Sequence, residues 1–97
     1  MARTPIHPGE ILAEEIEAAG LSAAELARLI EVPANRVSMI IAGRRAVTAD
    51  TALRLGRYFG TSAELWLNLQ KMFELDLARA ELGASLDRLP QRASASA

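Results

Sequence analysis

Residues 32–45 read VPANRVSMIIAGRR, and the rest of the chain is interpreted around this stretch. Val37, Ile40 and Ile41 recur at spacings of three and four residues, which predicts one face of a short helix that packs into a core. The opposite face is polar and contains no acidic residue; it consists of Asn35, Arg36, Ser38, Met39 and Ala42. The stretch therefore predicts a two-faced helix whose outer surface is neutral or cationic.

Two arginines, Arg44 and Arg45, directly follow the glycine that ends this helix, Gly43. Short polar side chains on a helix can reach base edges in DNA, and arginines can bind phosphates. The pattern is typical of a DNA recognition helix, but it equally fits an ordinary amphipathic helix in a small bundle. The neighbouring segments have to decide between these two interpretations.

Length and composition restrict the protein classes that the chain fits. Its 97 residues, 51% of them hydrophobic, suffice for one small domain. No apolar run is long enough to span a membrane, and MARTPIHPGE at the start lacks the apolar region of a secretory signal. The absence of cysteine fits a protein of the reducing cytoplasm and, with a single histidine, argues against a structural zinc site. We expect no metal and no cofactor.

The formal net charge of −1 hides an uneven distribution of charge. Residues 1–32 contain two arginines against six glutamates, whereas residues 33–60 contain five arginines against one aspartate. Residues 61–97 contain four basic against five acidic side chains. The basic middle segment predicts a surface for an anionic partner.

The first half of the chain has the signals of a helix-turn-helix. A cap at His7 with proline next to it begins a helix that Gly20 ends, and its buried stripe is predicted as Leu12, Ile16 and Ala19. Ser22 and Glu25 form a capping box that begins a second helix, with Leu26, Ala27, Leu29 and Ile30 facing inward, and this helix is predicted to end near Glu31. Pro33 forbids smooth continuation, so a short turn leads into the stretch at 32–45.

Two further helices are predicted in the second half. Thr48 caps the fourth, which ends at Gly60, and Thr61 caps the fifth in a capping box with Glu64. The fifth helix extends to about Leu82 with a wide apolar band that includes Trp66. We expect a flexible arm at residues 1–5, a domain at 6–82 and a disordered tail at 83–97.

This all-α arrangement resembles the five-helix XRE, or lambda-repressor-like, helix-turn-helix domain. Three segments resemble the HigA antitoxins of bacterial toxin–antitoxin modules: HPGE at 7–10, GRR at 43–45 and LWLNLQ at 65–70. The similarity extends over about residues 5–75. It implies a homodimer that binds double-stranded operator DNA and represses its own operon. It also implies a partner, a HigB-type toxin that cleaves mRNA on the ribosome.

Site residues follow from placing the third helix in the major groove. Asn35, Arg36 and Ser38 are predicted to hydrogen-bond base edges, with Met39 against a thymine methyl group. Arg44 and Arg45 are predicted to bind phosphates, as is the helix start at Ser22 through its backbone N–H groups. No catalytic residue is predicted, because the chain has no nucleophile–base pair, phosphate loop or metal cluster.

The acidic first helix is a candidate surface for a basic toxin, with the toxin-contacting residues predicted as Glu10, Glu14, Glu15 and Glu17. The alternative is that these glutamates form a solvated helix face without a partner. A stand-alone repressor without any toxin also remains open.

Overall fold

Six α-helices and their connections make up residues 4–93, which are the residues that the computed structural model describes. Residues 1–3 of the predicted arm and 94–97 of the predicted tail lie outside this range. The prediction of an all-α helix-turn-helix fold is confirmed. The helices are α1 (Pro8–Ala19), α2 (Ala23–Leu29), α3 (Arg36–Ile41), α4 (Ala49–Phe59), α5 (Ala63–Leu82) and α6 (Ala84–Asp87).

α1 begins with a capping box that His7 forms. The imidazole Nδ1 of His7 accepts a hydrogen bond from the Gly9 N–H at 2.9 Å, and Glu10 accepts one from the His7 N–H at 3.3 Å. The imidazole also meets Phe73 of α5 edge-on, with ring centroids 4.8 Å apart. Burial lowers the pKa of His7 and the Glu10 carboxylate opposes this shift. The neutral ring, which can accept at Nδ1, is therefore the form that caps the helix.

The turn between α2 and α3 has the hydrogen bonds of a Schellman motif. The Glu31 N–H donates to the Arg28 carbonyl at 3.2 Å, and the Val32 N–H donates to the Ala27 carbonyl at 3.0 Å. Glu31 occupies the left-handed position at φ 60°, where glycine is the usual residue. This conformation costs a residue with a Cβ about 1–2 kcal/mol.

The core lies among α1, α2, α3 and α4 and is closed by α5, which packs on α4 and α1. Trp66 is 1% exposed, and its indole N–H donates to the Thr61 hydroxyl at 3.0 Å. The tryptophan is thus a core residue whose one polar atom is satisfied. The other buried hydrophobic residues are Leu12, Ile16, Leu26, Ala27, Ile30, Val37, Ile40, Val47, Ala52 and Leu55.

Some local predictions were wrong. Ala19 and Leu29 are exposed and do not face the core. The cap of α5 is Ser62, whose hydroxyl accepts from the Leu65 N–H at 3.1 Å, because Thr61 is occupied by the Trp66 indole. The segment expected to be a disordered tail contains α6, which is separated from α5 by Gly83 at a positive φ.

The first turn of α1 lies directly against the last turn of α3. A Cβ built on Gly9 would stand 2.0 Å from the Ile40 carbonyl oxygen and 2.9 Å from the Ile41 Cα. Both of those atoms are backbone, so a side-chain rearrangement cannot make room for a methyl group. The position of α3 relative to α1 therefore depends on the absence of a side chain at Gly9.

Replacing Gly9 with alanine should lower the free energy of unfolding by about 3 kcal/mol, because the two helices must separate. Gly20→Ala is the matched control: its φ of 70° strains alanine, but no atom lies within 4 Å of the added Cβ. We expect the control to cost about 1 kcal/mol. Urea unfolding followed by circular dichroism measures both. Equal losses would show that the helices do not need this close approach.

Candidate nucleic-acid interface

The outer face of α3 presents short polar side chains to solvent. Asn35 and Ser38 are exposed and Met39 is half-buried, whereas Val37 and Ile40 on the opposite side are completely buried. The Ser38 hydroxyl donates to the Asn35 carbonyl at 3.0 Å, and the Asn35 amide donates to the Met39 sulfur at 3.4 Å. These local bonds fix the side chains while leaving the Asn35 amide oxygen free to accept.

Arg36 is placed differently from its neighbours on this face. Its side chain is half-buried and turns towards α4, where Nη1 donates to the Thr51 hydroxyl at 3.2 Å. Thr51 is itself buried, at 1% exposure. Arg36 would have to exchange this bond for a base contact in order to act as predicted.

A polar cleft of about 380 Å³ lies between the α2–α3 turn and the beginning of α4. Arg36, Arg45 and Arg54 line it together with Thr48. Glu31 and Asp50 are the acidic side chains at the same cleft. The structure thus brings the predicted base-contacting Arg36 and the predicted phosphate-contacting Arg45 to one side of the domain.

Arg54 is a structural residue of this site that the sequence did not identify. Its Nη1 donates to the Ile30 carbonyl at 2.8 Å and to the Glu31 carbonyl at 3.3 Å. Its Nε is paired with Asp50 at 2.7 Å. Arg54 therefore fastens the helix-turn-helix turn to α4. The spacing of four residues predicts only the surface ion pair with Asp50, not the contact with the turn.

A buried glutamine of α5, Gln70, anchors the loop that contains Arg44 and Arg45. Gln70 is 5% exposed, and its side-chain oxygen accepts from the Val47 N–H at 2.9 Å. Its amide nitrogen donates to Glu74 at 3.0 Å. Both arginines are exposed. They form no ion pair with another side chain in residues 4–93, so their charges remain available to a ligand.

The beginning of α2 is less open than the sequence suggests. The Ser22 N–H donates to Glu25 at 2.8 Å, and the Ser22 hydroxyl accepts from the Glu25 N–H at 3.1 Å. Hydrogen bonding from Ser22 lowers the pKa of Glu25 and keeps it ionised. A phosphate approaching Ser22 would meet this carboxylate, and only the N–H groups that follow Ser22 remain for it.

The four glutamates of α1 are exposed but differ in role. Glu10 belongs to the capping box, whereas Glu14, Glu15 and Glu17 have no hydrogen-bond partner within the described residues. Glu10, Glu14 and Glu17 follow one another at spacings of four and three, which places them on one stripe of the helix.

Metal-binding clusters and membrane-spanning helices are both absent from the described residues. The part of the chain between residues 4 and 93 contains no cluster of acidic or histidine side chains that could hold a metal ion. Within the same residues, no helix combines the length and apolar character that a bilayer span requires.

A family model described as helix-turn-helix matches residues 12–66, more than half of the chain. The chain belongs to the helix-turn-helix family. It is 49% identical over 77 residues to virulence-associated protein I of Dichelobacter nodosus, an alignment that covers 78% of this chain and 71% of that protein. The match residues include α2, the turn and α3.

Two solved structures show which kind of helix-turn-helix protein the chain resembles. An addiction module antidote protein of the HigA family from Coxiella burnetii has a TM-score of 0.87 and 45% identity, covering 93% of this chain and 99% of that one. Antitoxin HigA of Pseudomonas aeruginosa, with the higBA promoter, has a TM-score of 0.86 and 43% identity, covering 93% and 99%. The predicted resemblance to HigA-type antitoxins with an XRE-type domain is confirmed, and the family is one of DNA-binding antitoxins and regulators, not of enzymes.

Replacing Gln70 with methionine tests how the arginine loop is held. The change keeps the side-chain length but leaves the buried Val47 N–H without an acceptor, which should cost about 1–3 kcal/mol of unfolding free energy. Asn68→Ala, on the exposed side of α5, should change stability by less than about 0.5 kcal/mol. Thermal unfolding of both variants measures this, and a Gln70→Met variant as stable as the control would refute the anchoring role.

Proposed function

We propose that the protein is a sequence-specific DNA-binding antitoxin that represses its own operon and neutralises a HigB-type mRNA-cleaving toxin. The observation that supports DNA binding most directly is the acid-free outer face of α3 beside Arg44 and Arg45. A face of this kind offers hydrogen bonds to base edges, and the flanking arginines offer charge to phosphates. The similarity to an antitoxin HigA solved with the higBA promoter supports the same proposal.

In the proposed complex, α3 enters the major groove of double-stranded operator DNA. Asn35 and Ser38 hydrogen-bond base edges, and Met39 contacts a thymine methyl group. Arg36 leaves Thr51 to bind a guanine, while Arg44 and Arg45 bind phosphates. The free N–H groups of the α2 start, next to Ser22, contact a further phosphate.

Homodimerisation is part of this proposal. One copy of α3 contains six residues and reaches few base pairs. Two copies related by a two-fold axis would read a palindrome whose half-sites lie about 34–36 Å apart, or a multiple of that spacing. Dimerisation therefore supplies affinity that one copy lacks.

Fluorescence anisotropy of the full chain tests the function, with DNA from upstream of its own gene compared with a scrambled duplex at two salt concentrations. We expect preference for the upstream DNA and weaker binding at the higher salt concentration. No preference at either concentration would refute operator binding. A small basic protein encoded beside this gene would support the antitoxin role, whereas its absence would favour the stand-alone repressor.

Substitutions in the interface should separate sequence readout from phosphate binding. Arg44→Ala and Arg45→Ala should each weaken binding to both duplexes and lower the salt dependence by about one counterion. Arg36→Ala should instead relax the preference at one base pair, by about 1–3 kcal/mol. Arg88→Ala, a loss of charge beyond α6, is the control and should change neither property. Equal loss on both duplexes would assign Arg36 to the phosphates.

The toxin-binding proposal rests on the acidic surface of α1, where Glu10, Glu14, Glu15 and Glu17 offer complementarity to a basic protein. Glu14 and Glu17 are free to pair with such a protein, whereas Glu10 also caps its own helix. A neutralising complex would bury this surface while leaving the outer face of α3 for DNA. The two activities can then occur in one molecule.

The double variant Glu14→Lys/Glu17→Lys should weaken toxin binding at least about tenfold, because attraction to a basic surface becomes repulsion. Calorimetry with the toxin from the neighbouring gene measures this, and protection of mRNA from cleavage gives the functional result. Glu64→Lys/Glu81→Lys on α5 introduces the same charge change elsewhere and is the control. Similar toxin affinity in both variants would show that the toxin binds another surface.

A further inference from the structure

Thr51, in the first turn of α4, is the hydrogen-bond partner of the Arg36 side chain. Arg36 Nη1 donates to the Thr51 hydroxyl at 3.2 Å, although the two residues lie 15 positions apart in the sequence. Within residues 4–93, Arg36 forms no ion pair with an acidic side chain. The orientation of its guanidinium therefore depends on a bond with a neutral group.

The Thr51 hydroxyl is a fixed acceptor. Thr51 is 1% exposed, and its χ1 rotation is restricted because the side chain is β-branched. The Thr48 hydroxyl donates to the Thr51 hydroxyl at 3.4 Å and accepts from the Thr51 N–H at 3.5 Å. The half-buried Arg36 side chain thus reaches a buried oxygen that cannot follow it if the guanidinium moves away.

Two carboxylates at the same cleft are not the partners of Arg36. Asp50 is paired with Arg54 at 2.7 Å, and Glu31 forms no ion pair within the described residues. A carboxylate would hold the guanidinium more strongly than a hydroxyl does, because opposite charges attract. The bond with Thr51 therefore directs the Arg36 side chain but is weak enough for a ligand to replace.

Guanine is the base that can replace this bond with a net gain. It presents two acceptors in the major groove, O6 and N7, which an arginine binds in a bidentate manner. Adenine and thymine present one acceptor each on that edge, and cytosine presents a donor. Arg36 would exchange one hydrogen bond for two at a guanine, whereas at the other bases it would gain no bond by leaving Thr51.

We infer that Thr51 is a positioning residue that competes with DNA for Arg36 and thereby limits both the affinity and the selectivity of operator binding. Release of Arg36 costs the bond to Thr51, and this cost is subtracted from the gain at the guanine. On random DNA the arginine gains less and stays on Thr51, so the cost falls mainly on the operator complex. The inference rests on the proposed contact between Arg36 and a guanine.

The opposite role for Thr51 would be to hold Arg36 in its DNA-binding orientation. The geometry argues against that role, since the guanidinium turns towards α4, whereas Asn35 and Ser38 are exposed on the outer face of α3. The two roles predict opposite effects when the hydroxyl is removed. Competition predicts tighter operator binding, and productive orientation predicts weaker binding.

Thr51→Val removes the hydroxyl while keeping a branched side chain of similar size in the core. Fluorescence anisotropy of the full chain should show operator binding tightened about three- to tenfold, which is the range of one hydrogen bond, with a smaller change on a scrambled duplex. Thr51→Ser retains the hydroxyl and is the matched control, expected within about twofold of the wild type. Thermal unfolding checks that both variants are folded in the assay. Unchanged or weaker operator binding by Thr51→Val would overturn the inference.

A double-mutant cycle tests whether Thr51 acts through Arg36. In an Arg36→Ala background, Thr51→Val should change operator affinity by less than about 1.5-fold, because no guanidinium remains to be released. The same tightening in both backgrounds would show that the hydroxyl acts through another part of α4, which would also overturn the inference.

The protein without DNA gives an independent readout. Nitrogen-15 relaxation of the Arg36 Nε–H group should show an ordered side chain in the wild type and in Thr51→Ser, and a more mobile one in Thr51→Val. Equal mobility in the wild type and Thr51→Val would show that the hydroxyl does not hold the arginine, contrary to the inference.

The anisotropy measurements also separate this inference from the proposed function. A wild-type chain without preference for its upstream DNA would refute the proposed function and the inference together. A wild-type chain that prefers its upstream DNA, with Thr51→Val binding no more tightly, would refute the inference alone.

Discussion

The contact between the first turn of α1 and the last turn of α3 sets the position of the helix that we propose reads DNA. Gly9 allows the two backbones to approach until a methyl group would overlap the Ile40 carbonyl. His7, two residues earlier, caps α1 and contacts Phe73 of α5. One short segment thereby connects the first, third and fifth helices. A six-residue helix has little stability of its own, so its orientation depends on such packing.

In addition to this close packing, polar side chains fix the segments on either side of α3. Gln70 holds the loop that contains Arg44 and Arg45, and Arg54 holds the turn before α3. Each of these side chains hydrogen-bonds backbone groups that have no partner within a helix or turn. Removing the side chain would leave those groups unpaired, which costs free energy in addition to the lost bond. The outer face of α3 and the arginine loop are consequently presented on a rigid frame, which limits the entropy lost on binding DNA.

The sequence predicted those features that depend on neighbours along the chain. The caps at His7, Ser22 and Thr48 follow from local hydrogen bonds, and glycines at helix ends follow from the left-handed conformation. α5 begins one residue later than predicted, because the Trp66 indole N–H donates to the Thr61 hydroxyl and the adjacent Ser62 hydroxyl caps the helix.

Contacts between distant residues explain the rest. The bond from Arg36 to Thr51 joins residues 15 positions apart, and no periodicity in the sequence reveals it. The proximity of Gly9 to Ile40 is equally invisible, although glycine at that position is part of the segment that resembles HigA. The family resemblance therefore predicted more of the fold than helical periodicity and capping signals alone. The base and phosphate contacts remain predictions.

Nuclear magnetic resonance of ¹⁵N-labelled protein titrated with its upstream DNA tests the central claim directly. The account predicts that the largest amide shifts occur at 35–39 and 44–45, and shifts concentrated in α1 or in the C-terminal half of α5 would contradict it.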